Sequence, residues 1–70
     1  MAEKQLFVKH ELSRCVAAMV PEVMRLEYHV HDQDEVVIIR LADGTRRVDV
    51  TGMDLQQTTQ AVLDRLGECA

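Results

Sequence analysis

Aromatic side chains are almost missing from this sequence: it has no tryptophan, and Phe7 and Tyr28 stand alone. A platform for stacking nucleic-acid bases needs several exposed rings, so that class of function is excluded. A basic excess is missing too. Eight Lys and Arg against twelve Asp and Glu leave a formal net charge of −4, the wrong sign for displacing counterions from a phosphate backbone. Two cysteines are too few for a disulfide framework. No apolar run of membrane-spanning length and no leader-like N-terminus is present, so a reduced, cytoplasmic protein without a membrane partner is expected. There is no glycine-rich phosphate loop and no nucleophile beside a base at a recognisable spacing. In 70 residues there is no room for a deep pocket, and a non-enzymatic chain without a cofactor is expected. One domain, 1–70, with no repeat or linker, would bury only about 60% of its unfolded surface.

What the chain does contain is a stretch from Leu26 to Val50 whose strand pairing follows from its turns. Asp43-Gly44 between two β-rich runs favours a two-residue type I′ turn, in which both central residues take positive φ. That turn sets Arg40 opposite Arg47, Ile39 opposite Val48 and Val37 opposite Val50. Centring the preceding turn on Gln33-Asp34 sets Val30 opposite Val37, Tyr28 opposite Ile39, Leu26 opposite Leu41 and Glu27 opposite Arg40. Side chains alternate faces along a strand. One face therefore carries Leu26, Tyr28, Val30, Val37, Ile39, Leu41, Val48 and Val50. The other carries Glu27, His29, His31, Val36, Ile38, Arg40, Arg47 and Asp49. Both turns yield the same apolar face, and a slip of one residue in either would destroy it. Strands over about 26–31, 36–41 and 46–50 follow.

Residues 3 to about 20 read as an amphipathic helix, with Val8, Leu12, Cys15, Val16 and Met19 on a stripe of about 100°. Cys15 is expected as a small buried hydrophobe, whereas Leu6 and Phe7 point away from the stripe. Pro21 ends the helix, and Glu22 to Arg25 form a crossover with Val23 and Met24 tucked under the sheet. After the third strand, Thr51-Gly52 breaks the chain and Asp54 is placed to cap a helix over 55–66. Leu55, Thr59, Val62, Leu63 and Leu66 form its apolar side, and Gly67 is expected as a left-handed cap. The order α-β-β-β-α, with one apolar stripe per helix and one apolar sheet face, predicts an α+β fold: a three-stranded antiparallel meander with both helices packed on one face.

Three features bear on function. His29 and His31 lie two apart on one strand, project to one face and have the spacing to share a metal, with Asp32, Asp34 or Glu35 adding an oxygen. The alternatives are a solvated hairpin face or a pH-sensitive interface. The central strand is apolar on both sides, so its outer face presents Val36, Ile38 and the Arg40 stem, edged by His29, His31 and Thr51. Such a patch is either shaded by its neighbours or covered by a second copy or another protein. Arg40, Arg46 and Arg47 form a small basic cluster near the second hairpin.

The run DGTRRVDVTGMDLQQTTQAVLDRL, residues 43–66, with its Val48-Asp49-Val50-Thr51 strand ending, resembles a group of very small bacterial proteins found in phage and mobile-element settings. It is also similar to the small head-completion proteins of tailed phages, which place an Asp-Gly hairpin between two helices. This chain departs from the latter by its additional strand and longer first helix. The resemblance implies an accessory or assembly role and no catalytic residue. The sequence thus predicts a protein–protein interaction module, a homodimer or the partner of another protein, contacting through the outer sheet face or a strand edge at Val36, Ile38, Arg40, His29, His31 and Arg47.

Overall fold

A computed structural model describes residues 2–68, and Cys69 lies outside them. An N-terminal helical rod consists of α1 (Ala2–Leu6), a π-helical segment (Phe7–Leu12) and α2 (Ser13–Met19). It is followed by β1 (Val23–His31), β2 (Asp34–Leu41), β3 (Gly44–Asp49) and α3 (Leu55–Glu68). The strands form one antiparallel sheet in the order β1-β2-β3. The α+β architecture and the α-β-β-β-α order are as the sequence predicts. The rod lies against β1 and α3 against β3. Between these layers Val8, Leu12, Val16 and Val62 meet Val23, Leu26, Val37, Ile39, Val48 and Val50 in one core.

Both hairpins are displaced from the predicted register by two residues, in the same sense. Val37 pairs with Tyr28 and Val48, and Ile39 pairs with Leu26 and Arg46. The turns are therefore Asp32-Gln33 and Ala42-Asp43. Asp32 takes φ +57°, a left-handed geometry that a short polar side chain tolerates better than most. In the second hairpin neither central residue has positive φ; Gly44, just after the turn, takes φ +152°. The glycine redirects the chain into β3 instead of forming the turn's centre, which is why the Asp-Gly signal misplaced it. A displacement of two preserves parity, so each side chain stays on its predicted face. The like-charge pairing of Arg40 with Arg47 disappears, because Arg40 faces Thr45 and Arg47 faces Ile38.

The N-terminal rod departs from a uniform helix. Its central wide turn includes an i→i+5 bond from the Ser13 amide to the Val8 carbonyl. A wide turn rotates the chain less per residue, so positions four apart stay in line: Lys4, Val8, Leu12 and Val16 are the buried ones. Cys15 and Met19 are carried off that line, and both are exposed, contrary to the sequence expectation. Phe7 finds a half-buried place against the core while Leu6 faces outward. Val20 is extended ahead of Pro21, as a residue preceding proline prefers. The chain then enters β1 three residues earlier than predicted. A bulge between Val23 and Arg25 turns both Val23 and Leu26 inward, so Met24 is 71% exposed and not tucked beneath the sheet.

At the other end, Asp54 caps α3 as expected. Its Oδ1 accepts the Gln57 amide at 2.7 Å, and Gln57 Oε1 accepts the Asp54 amide at 3.1 Å, a reciprocal capping box. The helix runs through Gly67, which has no positive φ and is not the predicted left-handed cap. Its buried line is Thr58 and Val62, while Thr59 is half-buried and bonds back to the Leu55 carbonyl. No described helix is long and apolar enough to cross a membrane.

Candidate interaction surface

Both helical layers occupy one side of the sheet, so the other side is bare among the described elements. The displaced register sets Ile38 between Glu27 and Arg47, and Val36 between His29 and Asp49. Val36 and Ile38 are half-buried, whereas His29, His31, Arg40 and Arg47 are exposed. The proposed contact residues thus do share a face, with two apolar side chains at its centre inside a ring of charge.

Glu27 organises one side of that ring. Arg40 reaches it by two bonds, Nε to Oε2 at 2.9 Å and Nη2 to Oε1 at 3.1 Å. Arg25 meets Oε2 at 2.9 Å, and His29 Nε2 lies 3.1 Å from Oε1. The bonds from Arg40 and then His29 hold the Glu27 carboxyl down at about 2. Arg25 and Arg40 are thus both bonded to this one carboxylate. Arg47 and Asp49 on β3 differ: neither closes an ion pair among the described residues, and Asp49 Oδ1 accepts the Thr51 amide at 2.9 Å. Bonding from Thr51, its amide first, keeps the Asp49 carboxyl below its ordinary value, with Arg47 adding a weaker, longer-range pull.

The histidines do not converge on one ligand. His29 turns to Glu27, while His31, 92% exposed, lies 3.6 Å from Asp32. No group of three or more His, Cys, Asp or Glu among the described residues is placed to hold a metal ion. An open groove of about 500 Å3, lined by apolar Met19, Val20, Leu41, Leu63 and Leu66, lies at the far end of the sheet. Among the described residues no histidine or hydroxyl side chain lines it.

A second polar centre, on the inner face, escaped sequence reasoning. Glu35 shares parity with Val37 and Ile39 and points into the edge of the core layer. Its carboxylate accepts from Lys4 Nζ at 3.0 Å, from the Gly52 amide at 3.0 Å and from the Tyr28 hydroxyl. Its main-chain amide donates to Thr51 Oγ1. Tyr28, then Gly52, hold the Glu35 carboxyl down at about 2, and burial together with Glu35 pushes the Tyr28 hydroxyl up to about 12. Gly52, at φ +72°, gives the turn the shape that aims its amide at Glu35.

The two edges of the sheet are built differently. In an antiparallel ladder each residue either exchanges its main-chain bonds with the partner strand or turns them outward. The Val50 amide bonds the Glu35 carbonyl, so Thr45, Arg47 and Asp49 turn theirs outward along β3. On the β1 edge the Met24 bulge breaks the row, the helical rod lies alongside, and Ser13 Oγ takes the Leu26 amide at 3.2 Å. Bulges and capped amides are how edges are closed to further strands. On β3 the Thr45 carbonyl is taken by Arg46 Nη1, and the ladder from Gly44 to Asp49 has no bulge or proline. No protein-family model, curated protein or solved structure matches the chain.

Proposed function

We propose that this chain is a non-enzymatic protein–protein interaction module of the cytoplasm that self-associates through the edge of β3. The difference between its two sheet edges carries the reading: the β1 edge is bulged at Met24 and capped at the Leu26 amide, and the β3 edge has no bulge and turns the main-chain groups of Arg47 and Asp49 outward. Strand addition at such an edge supplies main-chain bonds without reshaping the fold. A face-to-face dimer is less favourable, because burying Val36 and Ile38 would also desolvate the charges of Glu27, Arg40, Arg47 and Asp49 around them. In the edge dimer the outer face stays open as a surface for a further protein, which accommodates the accessory or assembly role that the resemblance of residues 43–66 implies.

Light scattering on a size-exclusion column over a range of concentrations tests this. The expected result is a dimer that dissociates on dilution. Arg47→Pro removes an outward amide that takes no part in the β2 ladder, so the variant is expected to remain folded by circular dichroism and to elute as a monomer. Ile38→Lys is expected to remain dimeric. A wild-type monomer at every concentration overturns self-association. Loss of the dimer in Ile38→Lys but not in Arg47→Pro moves the contact to the outer face.

A further inference from the structure

We infer that the recognition element of this edge is the pair Arg47 and Asp49, and that it selects one register: an isologous dimer with its two-fold axis beside Val48. This rests on the reading of β3 as the contact edge. The occupant is a second copy because the edge is complementary to itself. Arg47 and Asp49 are two apart, so they share a face and both turn their main-chain groups outward. Antiparallel pairing about Val48 sets Arg47 opposite Asp49 of the second copy, and Asp49 opposite its Arg47. Every outward main-chain group of these residues then gains a partner, and both cross-strand side-chain pairs are of opposite sign.

Displaced registers are worse. Pairing about Arg47 sets arginine opposite arginine, and pairing about Asp49 sets aspartate opposite aspartate; like charges directly opposite destabilise a sheet. The other outer-face cations cannot substitute, since Arg25 and Arg40 are already held by Glu27. Arg47 and Asp49, both exposed, close no ion pair among the described residues. The Thr51 amide takes one acceptor position on Asp49 Oδ1. An ionised carboxylate has about four such positions, so acceptors are left for the second copy. The product is a six-stranded sheet with both α3 helices on one side and one continuous outer face on the other.

Complementary charge reversal tests the register. Arg47→Glu alone sets a new carboxylate opposite Asp49, and Asp49→Lys alone sets a new ammonium opposite Arg47. Each variant is expected to dimerise about tenfold more weakly than wild type or worse. Mixed in equal amounts they are expected to form a heterodimer, because both cross-strand pairs are then of opposite sign. Two variants that dimerise as wild type does, or a mixture that stays as weak as its components, overturn the register while leaving edge association standing. Should Asp49→Lys fail to fold, amide hydrogen exchange on the wild type decides. The Arg47 and Asp49 amides are expected to slow together as concentration rises, with Tyr28 and Val30 on the β1 edge unchanged. Exchange at Arg47 and Asp49 that ignores dimer formation overturns the inference.

Discussion

Lys4 Nζ lies 3.0 Å from Glu35 Oε1, tying the first helical turn to the start of the central strand across 31 positions of sequence. The same ammonium donates to the Val50 carbonyl at 2.7 Å, so one nearly buried side chain joins the rod, β2 and the exit of β3. Removing it as Lys4→Met leaves the Val50 carbonyl with the Met53 amide as its remaining donor and takes the ammonium from the Glu35 carboxylate, and is expected to cost roughly 1–3 kcal/mol. Glu35→Gln keeps much of the shape but loses the charge. The two losses should not add: a double-mutant cycle by urea denaturation is expected to return a coupling of about 1 kcal/mol or more. Simple additivity would show that the contact contributes nothing to the fold.

The pH profile of stability follows from the same centre. Glu35 and Glu27 titrate near 2 in the fold against an ordinary value of 4.5. A carboxyl depressed on folding stabilises fully above its unfolded value and loses that contribution as pH falls through its folded one. Stability is therefore expected to decline between pH 4.5 and about 2. Tyr28 is shifted the other way, from 10 to about 12, so its contribution holds below pH 10 and is lost as pH rises toward 12. Urea midpoints across pH should form a plateau between these limbs. Tyr28→Phe is expected to flatten the alkaline limb and Glu35→Gln to shallow the acid one. A midpoint unchanged from about pH 4.5 to about 2.5 would refute the acid assignment.

Thr58 illustrates a polar group without a use in the fold. It is fully buried on α3, and its hydroxyl has no hydrogen-bond partner among the described residues. A buried, unsatisfied hydroxyl carries a desolvation penalty, so removing it without changing shape is favourable. Thr58→Val keeps the shape and the branched side chain, and is expected to raise stability by about 1 kcal/mol, read from thermal unfolding. Destabilisation would mean that the hydroxyl has a partner in solution.

Parity explains what was legible in the sequence. The face carrying Val37, Ile39, Val48 and Val50 could be read because period-2 patterning survives any even displacement, so the layers and the outer face came out correctly although both turns did not. The stripe of the N-terminal rod could not, since assigning Cys15 to it assumes a constant rotation per residue and the wide turn before Ser13 breaks that. Nor does periodicity reveal Lys4 or Glu35 as partners: each looks like a solvated charge until the strand and the helix are placed together. The contrast between the β1 and β3 edges depends on the Met24 bulge and on Ser13 reaching Leu26, neither of which has a local sequence signature.

The displaced first turn itself makes the last prediction. Asp32 holds φ +57°, and Asp34 begins β2 opposite His31. A β-branched side chain is poorly tolerated at left-handed φ and well suited to a strand. Asp32→Val is therefore expected to cost about 1–2 kcal/mol. Asp34→Val should stay within about 0.5 kcal/mol of wild type, as exposed strand substitutions usually do. Asp32→Gly relieves the conformation and is expected to be neutral or stabilising by up to about 1 kcal/mol. With the turn centred on Gln33-Asp34 the order would reverse, Asp34→Val becoming the costly change. Urea midpoints of these variants thus decide between two registers that bury the same face.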